Sequence, residues 1–223
     1  SEMCIRDSYY KENGGVIFPN PNAPTGLLMD LDSVRDIIEH NKDVVVIVDE
    51  AYIDFGGVSA KDLVNEYDNV LVVQTFSKSR SMAGMRIGYA FGSKELIKAL
   101  NDVKFSFNSY TMNRTSISYG IESVNDKEYF EECVGKIVKT RENAKERLSQ
   151  LGFSFPDSKA NFIFATHKSV SAKEIFEKLK EKNIFVRYFN QPLIDNYLRI
   201  SIGTDEQMEK LYAALEEITG QVK

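Results

Sequence analysis

Short apolar runs alternate along this chain with segments whose apolar residues recur every three or four positions. Val16-Ile17-Phe18 is bounded by glycines before it and by Pro19-Asn20-Pro21-Asn22-Ala23-Pro24-Thr25-Gly26 after it, which predicts a buried strand running into a rigid turn. Leu31, Val34, Ile37 and Ile38 follow at helical spacing, with Asp30 or Asp32 as the cap and Asn41 as the stop. Val44-Val45-Val46-Ile47-Val48 is β-branched throughout and apolar on both faces, the pattern of a parallel strand covered on both sides. Val70–Val73 and Ile87–Phe91 predict two further strands, each set off by polar or helical stretches. Strands alternating with helices predict an α/β domain with a mostly parallel sheet.

From Lys94 onward the pattern turns helical, through Leu96, Ile97 and Leu100 and again through Ile117, Tyr119 and Ile121. A long helix is expected from about Lys127 to Leu151, carrying Phe130, Val134, Ile137, Val138 and Leu148 inside and lysine–glutamate pairs outside. After Gly152 come a strand at Phe162–Phe164, a helix over Ala172–Lys182, strands near Phe185–Val186 and Leu198–Ile200, and a closing helix from Asp205 to about Gln221. That second half reads as a smaller α+β domain.

Composition narrows the function classes. The 223 residues are 43% apolar, enough for one sizeable core or two small ones. No stretch approaches the roughly 18–20 apolar residues of a membrane span, and no secretory pattern opens the chain, so a cytoplasmic protein is expected. Cys4 and Cys133 form no CxxC and there are 2 histidines, which leaves no disulfide framework, zinc ribbon or histidine-rich metal site. A net charge of -5 with interleaved signs gives no basic stripe for nucleic acid. Small-molecule chemistry or protein contacts are left.

In open α/β sheets, ligands bind beyond the carboxyl ends of the strands. Those ends carry Asp49-Glu50-Ala51-Tyr52 after the valine run and Thr75-Phe76-Ser77-Lys78-Ser79-Arg80 after Val70–Gln74, with Ala83-Gly84-Met85-Arg86 before the next strand. Taken singly, Asp49 reads as a turn or cap residue, and Lys78 and Arg86 as solvated cations. Together they are the groups that hold pyridoxal phosphate: a lysine for the Schiff base, an aspartate against the pyridine nitrogen, and arginine with hydroxyls for the phosphate.

NPNAPTG (20–26), VDEAYIDF (48–55), TFSKSRSMAGMRIGY (75–89) and YLRISIGT (197–204), in that order and spacing, resemble the fold-type I, class-II-like PLP-dependent aminotransferases, most closely their histidinol-phosphate branch. The resemblance covers the chain from about Tyr9 to its end. It implies a three-layer large domain, partial here (9–125), a small C-terminal domain with its linking helix (126–223), and an unmatched, foreign-looking opening at residues 1–8. Lys78 would carry the cofactor and move the proton, Asp49 would pair with the pyridine nitrogen, and Tyr52 would bond the ring oxygen. Thr75, Ser77 and Arg86 would hold the phosphate. Arg199 would clamp a substrate carboxylate, and Arg187 would help to hold a substrate phosphate. Relatives place an asparagine at the position of Ala23, so Asn22 is the candidate for that cofactor contact.

The implied reaction is transamination of L-histidinol phosphate with 2-oxoglutarate, in a homodimer when full length, with small-molecule substrates and neither membrane nor nucleic acid as partner. The same fold also serves aromatic aminotransferases and threonine-phosphate decarboxylases. Arg187 discriminates, since a phosphate-bearing substrate needs a cation. The glycine-rich phosphate segment, the stacking aromatic and the cross-interface tyrosine of the family have no counterpart here. A truncated, noncatalytic fragment is therefore the reading of another class.

Overall fold

A computed structural model describes residues 7–220. The unmatched opening, with Cys4, lies almost wholly outside the described residues, as does Gln221. The chain divides into two compact units, one formed by residues 1–21 and 28–131 and the other by residues 22–27 and 132–223.

In the first unit β1 (Val16–Pro19), β2 (Val46–Asp49) and β3 (Val70–Thr75) are parallel neighbours, and β4 (Gly88–Gly92) closes the edge antiparallel to β3. The register aligns Phe18, Val48 and Val72 in one row and Pro19, Asp49 and Val73 in the next. Because side chains alternate along a strand, these rows face opposite sides of the sheet. Helix α1 (Leu31–His40) covers the first side. Asp30 caps it by accepting from Ser33 N–H, and Asn41 ends it by donating to the Ile38 carbonyl. Val34, Ile37 and Ile38 are fully buried with Val16, Phe18, Val46, Val48, Val70 and Val72. Each such side chain contributes roughly 1.5–3 kcal/mol relative to an exposed one.

Among the described residues the opposite side is thinly covered. Ile17 is 68% exposed, and Ile47 and Val73 are only half-buried. The valine strand starts at Val46 rather than Val44, because Val44 N–H is used by the turn, donating to Asn41. Two helices, α2 (Lys94–Phe107) and α3 (Arg114–Asn125), follow β4. Neither helix buries an apolar side chain in the described structure, and Val103, Phe105, Phe107, Tyr119 and Ile121 are exposed.

Helix α4 (Lys127–Gln150) contains the boundary between the units. The second unit is a four-stranded antiparallel sheet of β5 (Phe153–Ser154), β6 (Phe162–His167), β7 (Arg187–Tyr188) and β8 (Leu198–Ser201), in the order β5-β6-β8-β7. Helices α5 (Ala172–Glu181) and α6 (Asp205–Thr219) pack with Ile163, Ala165, Leu198 and Ile200 in its core. Thr204 and Gln207 form a reciprocal capping box at the start of α6, and Gly220, at φ 71°, ends it. The strand expected at Phe185–Val186 begins at Arg187 instead. Ile184 N–H still donates to Leu179 at the end of α5, and Asn183 turns the chain at φ 58°, so pairing with β8 starts later.

Residues 22–27 belong to the second unit. Asn22 N–H donates to Leu27, Gly26 N–H to Asn22, and Lys159 N–H to Gly26. Gly26 is required there: its φ is 75°, and a Cβ would lie 2.3 Å from Ser158 Oγ.

Candidate functional site

The candidates of the first unit stand on the carboxyl ends of β2 and β3. Asp49 is the last residue of β2, in register with Val73, and Thr75 shares its side of the sheet two residues further along β3. The Asp49 carboxylate accepts from Ala51 N–H at 3.0 Å, so one oxygen shapes the turn. Among the described residues it makes no ion pair. The turn carries Tyr52 toward Lys78, whose Nζ lies 5.4 Å from the centre of the phenol ring. Lys78 is half-buried and has no carboxylate within ion-pairing distance among the described residues. Among the described residues this half-buried amine thus has a phenol ring beside it and no counter-ion.

Two hydroxyls stand beside it. Thr75 Oγ1 is 2.9 Å from Ser77 Oγ and 3.2 Å from the Ile87 carbonyl, and it accepts from Ser77 N–H at 3.1 Å. The chain then turns through two left-handed residues, Ser81 and Arg86, both at φ 55°. Such a conformation costs a residue with a Cβ about 1–2 kcal/mol. It holds Arg86 exposed just before β4, with its guanidinium donating to the Ala83 carbonyl at 2.9 Å. Gly84 lies in open space, where a Cβ would meet nothing within 4 Å.

Behind these residues, on the buried side of the sheet, lies a carboxylate that sequence reasoning missed as a functional residue. Glu50 is 1% exposed and accepts from Ser59 Oγ, Ala60 N–H and Gln74 Nε2 at 2.5, 2.6 and 2.7 Å. Gln74 in turn accepts from Tyr89 Oη at 2.7 Å. Burial pushes the Glu50 carboxyl above the usual carboxylate range, and the three donors pull against it. The signal available in the sequence is strand alternation: if Asp49 faces the open side, its neighbour must face the core.

The candidates of the second unit are strand residues. Arg187 of β7 is in register with Arg199 of β8, and Arg199 with Phe164 of β6, so two guanidiniums and an aromatic ring share one row and one face. Phe189 supports both cations, 5.6 Å from Arg187 and 6.0 Å from Arg199, and Phe162 lies 5.1 Å from Arg199. Neither arginine makes an ion pair among the described residues. Like charges directly opposite across a ladder are destabilising, and aromatic faces offset only part of that. Two guanidinium forks on one face present the donor geometry that carboxylates and phosphates accept.

Asn22 is engaged where it stands, its amide donating to Thr25 Oγ1 at 2.7 Å within the turn of residues 22–27. Cys133 is a half-buried free thiol. Among the described residues no cluster of metal-binding side chains occurs, and no helix is long and apolar enough to cross a membrane.

Residues 5–215 match the family described as aminotransferase class I and II. The chain is 54% identical over 204 residues to a histidinol-phosphate aminotransferase of Brachyspira hyodysenteriae, a match covering 91% of this chain and 58% of the relative. It is 52% identical over 216 residues to the protein of that name from Clostridium botulinum, covering 97% of this chain and 61% of the relative. The chain thus spans about three fifths of the curated relatives it matches. Among solved structures, the Clostridium acetobutylicum histidinol-phosphate aminotransferase superposes with a TM-score of 0.85 at 25% identity, over 94% of this chain and 65% of that one. The Sinorhizobium meliloti enzyme, solved in complex with pyridoxal-5'-phosphate, gives 0.84 at 25% identity, over 94% and 58%. The α/β architecture with its mostly parallel sheet is the fold of these neighbours.

Proposed function

The chain belongs to the class I and II aminotransferase family, and from that premise we propose that it carries the lysine-bearing part of a pyridoxal-phosphate-dependent transaminase acting on L-histidinol phosphate and 2-oxoglutarate. The products are imidazole acetol phosphate and glutamate. The observation that carries the reading is the cluster on the ends of β2 and β3: an amine without a counter-ion among the described residues beside a phenol, an aspartate, and a pair of hydroxyls.

That donor set fits the cofactor. Pyridoxal phosphate, when bound, supplies an electron sink that makes the substrate's Cα–H bond acidic. Lys78 would bear the cofactor on its Nζ and, as a free amine, would move the proton at the substrate's Cα. Asp49, whose second carboxylate oxygen is not used by the Ala51 turn, would face the ring nitrogen and favour its protonated form. Tyr52 donates from its phenol to the ring oxygen and orients the lysine. Thr75, Ser77 and Arg86 bind the phosphate, the arginine through N–H groups beyond the one spent on Ala83. Asn22 spends one N–H of its amide on Thr25 and keeps a second N–H and its carbonyl oxygen for a cofactor contact, which Tyr52 would share.

Arg199 takes the carboxylate of glutamate or 2-oxoglutarate, and Arg187 the phosphate of histidinol phosphate. A neutral aromatic substrate would leave Arg187 facing Arg199 with nothing between them, which favours the phosphate-bearing substrate. The name shared by relatives above 50% identity supports the same choice. The working protein is proposed to be a cytoplasmic homodimer. Borohydride reduction of the cofactor-loaded chain followed by peptide mapping tests the reading: label on Lys78 supports it, and label on another lysine, or none, overturns it.

A further inference from the structure

Three contacts join the loop after β2 to the end of β3, and they follow one another like rungs. The first is Glu50 with Gln74, the second Tyr52 with Lys78, and the third Asp54 with Ser79. Only the middle rung holds residues assigned to chemistry. Each of the outer two is a hydrogen bond with one buried partner: Glu50, which accepts from half-buried Gln74, is 1% exposed, and Ser79, which donates to exposed Asp54, is 3% exposed. The register puts Glu50, Gln74 and Tyr89 on the side of the sheet away from Asp49 and Thr75, so none of the three touches the reacting atoms.

The first rung draws on separate segments. One Glu50 oxygen takes Ala60 N–H, and the other takes Ser59 Oγ and Gln74 Nε2, while Gln74 passes the link to Tyr89 on β4. A carboxylate is the side chain that accepts from several directions without donating, and no apolar residue or amide satisfies all three donors. On the far side of Tyr52, Ser79 donates its hydroxyl to Asp54. Ser79 is the residue after the amine, so this bond fixes the backbone from which Lys78 projects. Asp54, Ser59, Gln74 and Tyr89 also line a pocket of about 290 Å³, so a substitution there is relieved by solvent rather than leaving a sealed void.

We propose that Glu50 and Asp54 are positioning residues for the Lys78 site: with Gln74 and Ser79 they clamp the two loops together and set the spacing between Tyr52 and Lys78. This rests on the reading of Lys78 as the cofactor-bearing amine.

The test uses the full chain with the variants Glu50→Gln and Ser79→Ala and the exchanged pair Glu50→Gln/Gln74→Glu. Three quantities are compared with the parent: the dissociation constant for pyridoxal phosphate, the pH at which the bound cofactor's absorbance changes, and amide hydrogen exchange of residues 50–60 and 74–81 without cofactor. The single substitutions are expected to weaken cofactor binding by about tenfold or more, since small misplacements of a reacting group are costly. They should also move the absorbance pH and speed exchange in both segments together, and the exchanged pair should recover most of each change. Variants with the parent's melting temperature and unchanged affinity, absorbance pH and exchange overturn the proposal. An exchanged pair no better than Glu50→Gln alone also overturns it. Should Glu50→Gln fail to fold, Ser79→Ala, which removes a single hydroxyl, decides by the same readouts. If the parent itself forms no adduct at Lys78, the reading of the reaction falls and exchange alone judges the clamp. Joint release of both segments then supports it, and release of only one overturns it.

Discussion

Asp49 closes its strand and Tyr52 and Lys78 stand on the loops just past strand ends, whereas Arg187 and Arg199 stand within strands, aligned by an antiparallel ladder. The loop residues owe their places to bonds made by neighbours: Ala51 turns the aspartate, Ser79 anchors the lysine's backbone, and Glu50 ties one loop to the next strand. The arginines need no such props. Register alone puts them opposite each other, and Phe189 supports both. A loop-borne group can be displaced by changes several residues away, while a ladder-borne group is lost mainly by changing the residue itself.

The largest expected effect lies in the first region. Lys78→Ala should lower turnover by about 10⁴-fold or more, the upper range for loss of a positioned proton-transfer group, measured in single-turnover assays. A residual rate within a factor of ten of the parent would remove the lysine from the mechanism. Asp49→Ala should cost about 10²–10³-fold in kcat, as for loss of one preorganised electrostatic partner, with a smaller change in KM. An equal change in both would make it a binding residue instead.

The second region should respond more mildly and with an unusual sign. Arg187→Gln is expected to lower kcat/KM for histidinol phosphate by about 10–100-fold, the worth of a charge-assisted hydrogen bond, and to spare a substrate without phosphate. The same change should raise unfolding free energy by about 0.2–1 kcal/mol, because it removes a cation facing a cation across the ladder. Urea titration checks this, and a stability loss would mean that the pair is neutralised by contacts other than an anion.

The smallest effect is set by pH and also separates the regions. His167 is buried; its Nδ1 accepts from Ser169 and Val170 N–H and its Nε2 faces the Leu151 carbonyl. Burial, with Lys168 nearby, lowers its pKa in the folded state. The unfolded chain then binds the proton more readily than the folded one, so the stabilisation is full above about pH 6.5 and is lost as pH falls below it. Protection factors in β5 and β6 should drop on acidification through that range while those of β2 and β3 hold. A His167→Gln chain that keeps the same pH slope would place the cause elsewhere.

Much of the first region was legible because it is local. Strand ends can be read from apolar runs, and the ordered motifs around Asp49, Tyr52, Thr75, Ser77, Lys78 and Arg86 lie at those ends. The apolar character of Ile17 and Ile47 marks the open side as one that calls for a cover, which the motifs missing from this chain would supply. The alignment of Arg187 with Arg199 was not legible, since it depends on where α5 releases the chain at Ile184, a matter of pairing between distant residues. Glu50 was visible as a letter, but its partners Ser59 and Gln74 are brought to it only by folding. Asn22 was visible as a cofactor candidate, but its bond to Thr25 within the turn depends on local geometry that the letters do not specify.

The facing arginines also bear on how this unit tolerates drift. Replacing either one relieves repulsion, so a search guided by thermal stability alone would discard the pair early. If the pair holds an anionic ligand as proposed, screens for robust variants of this chain should hold both positions fixed.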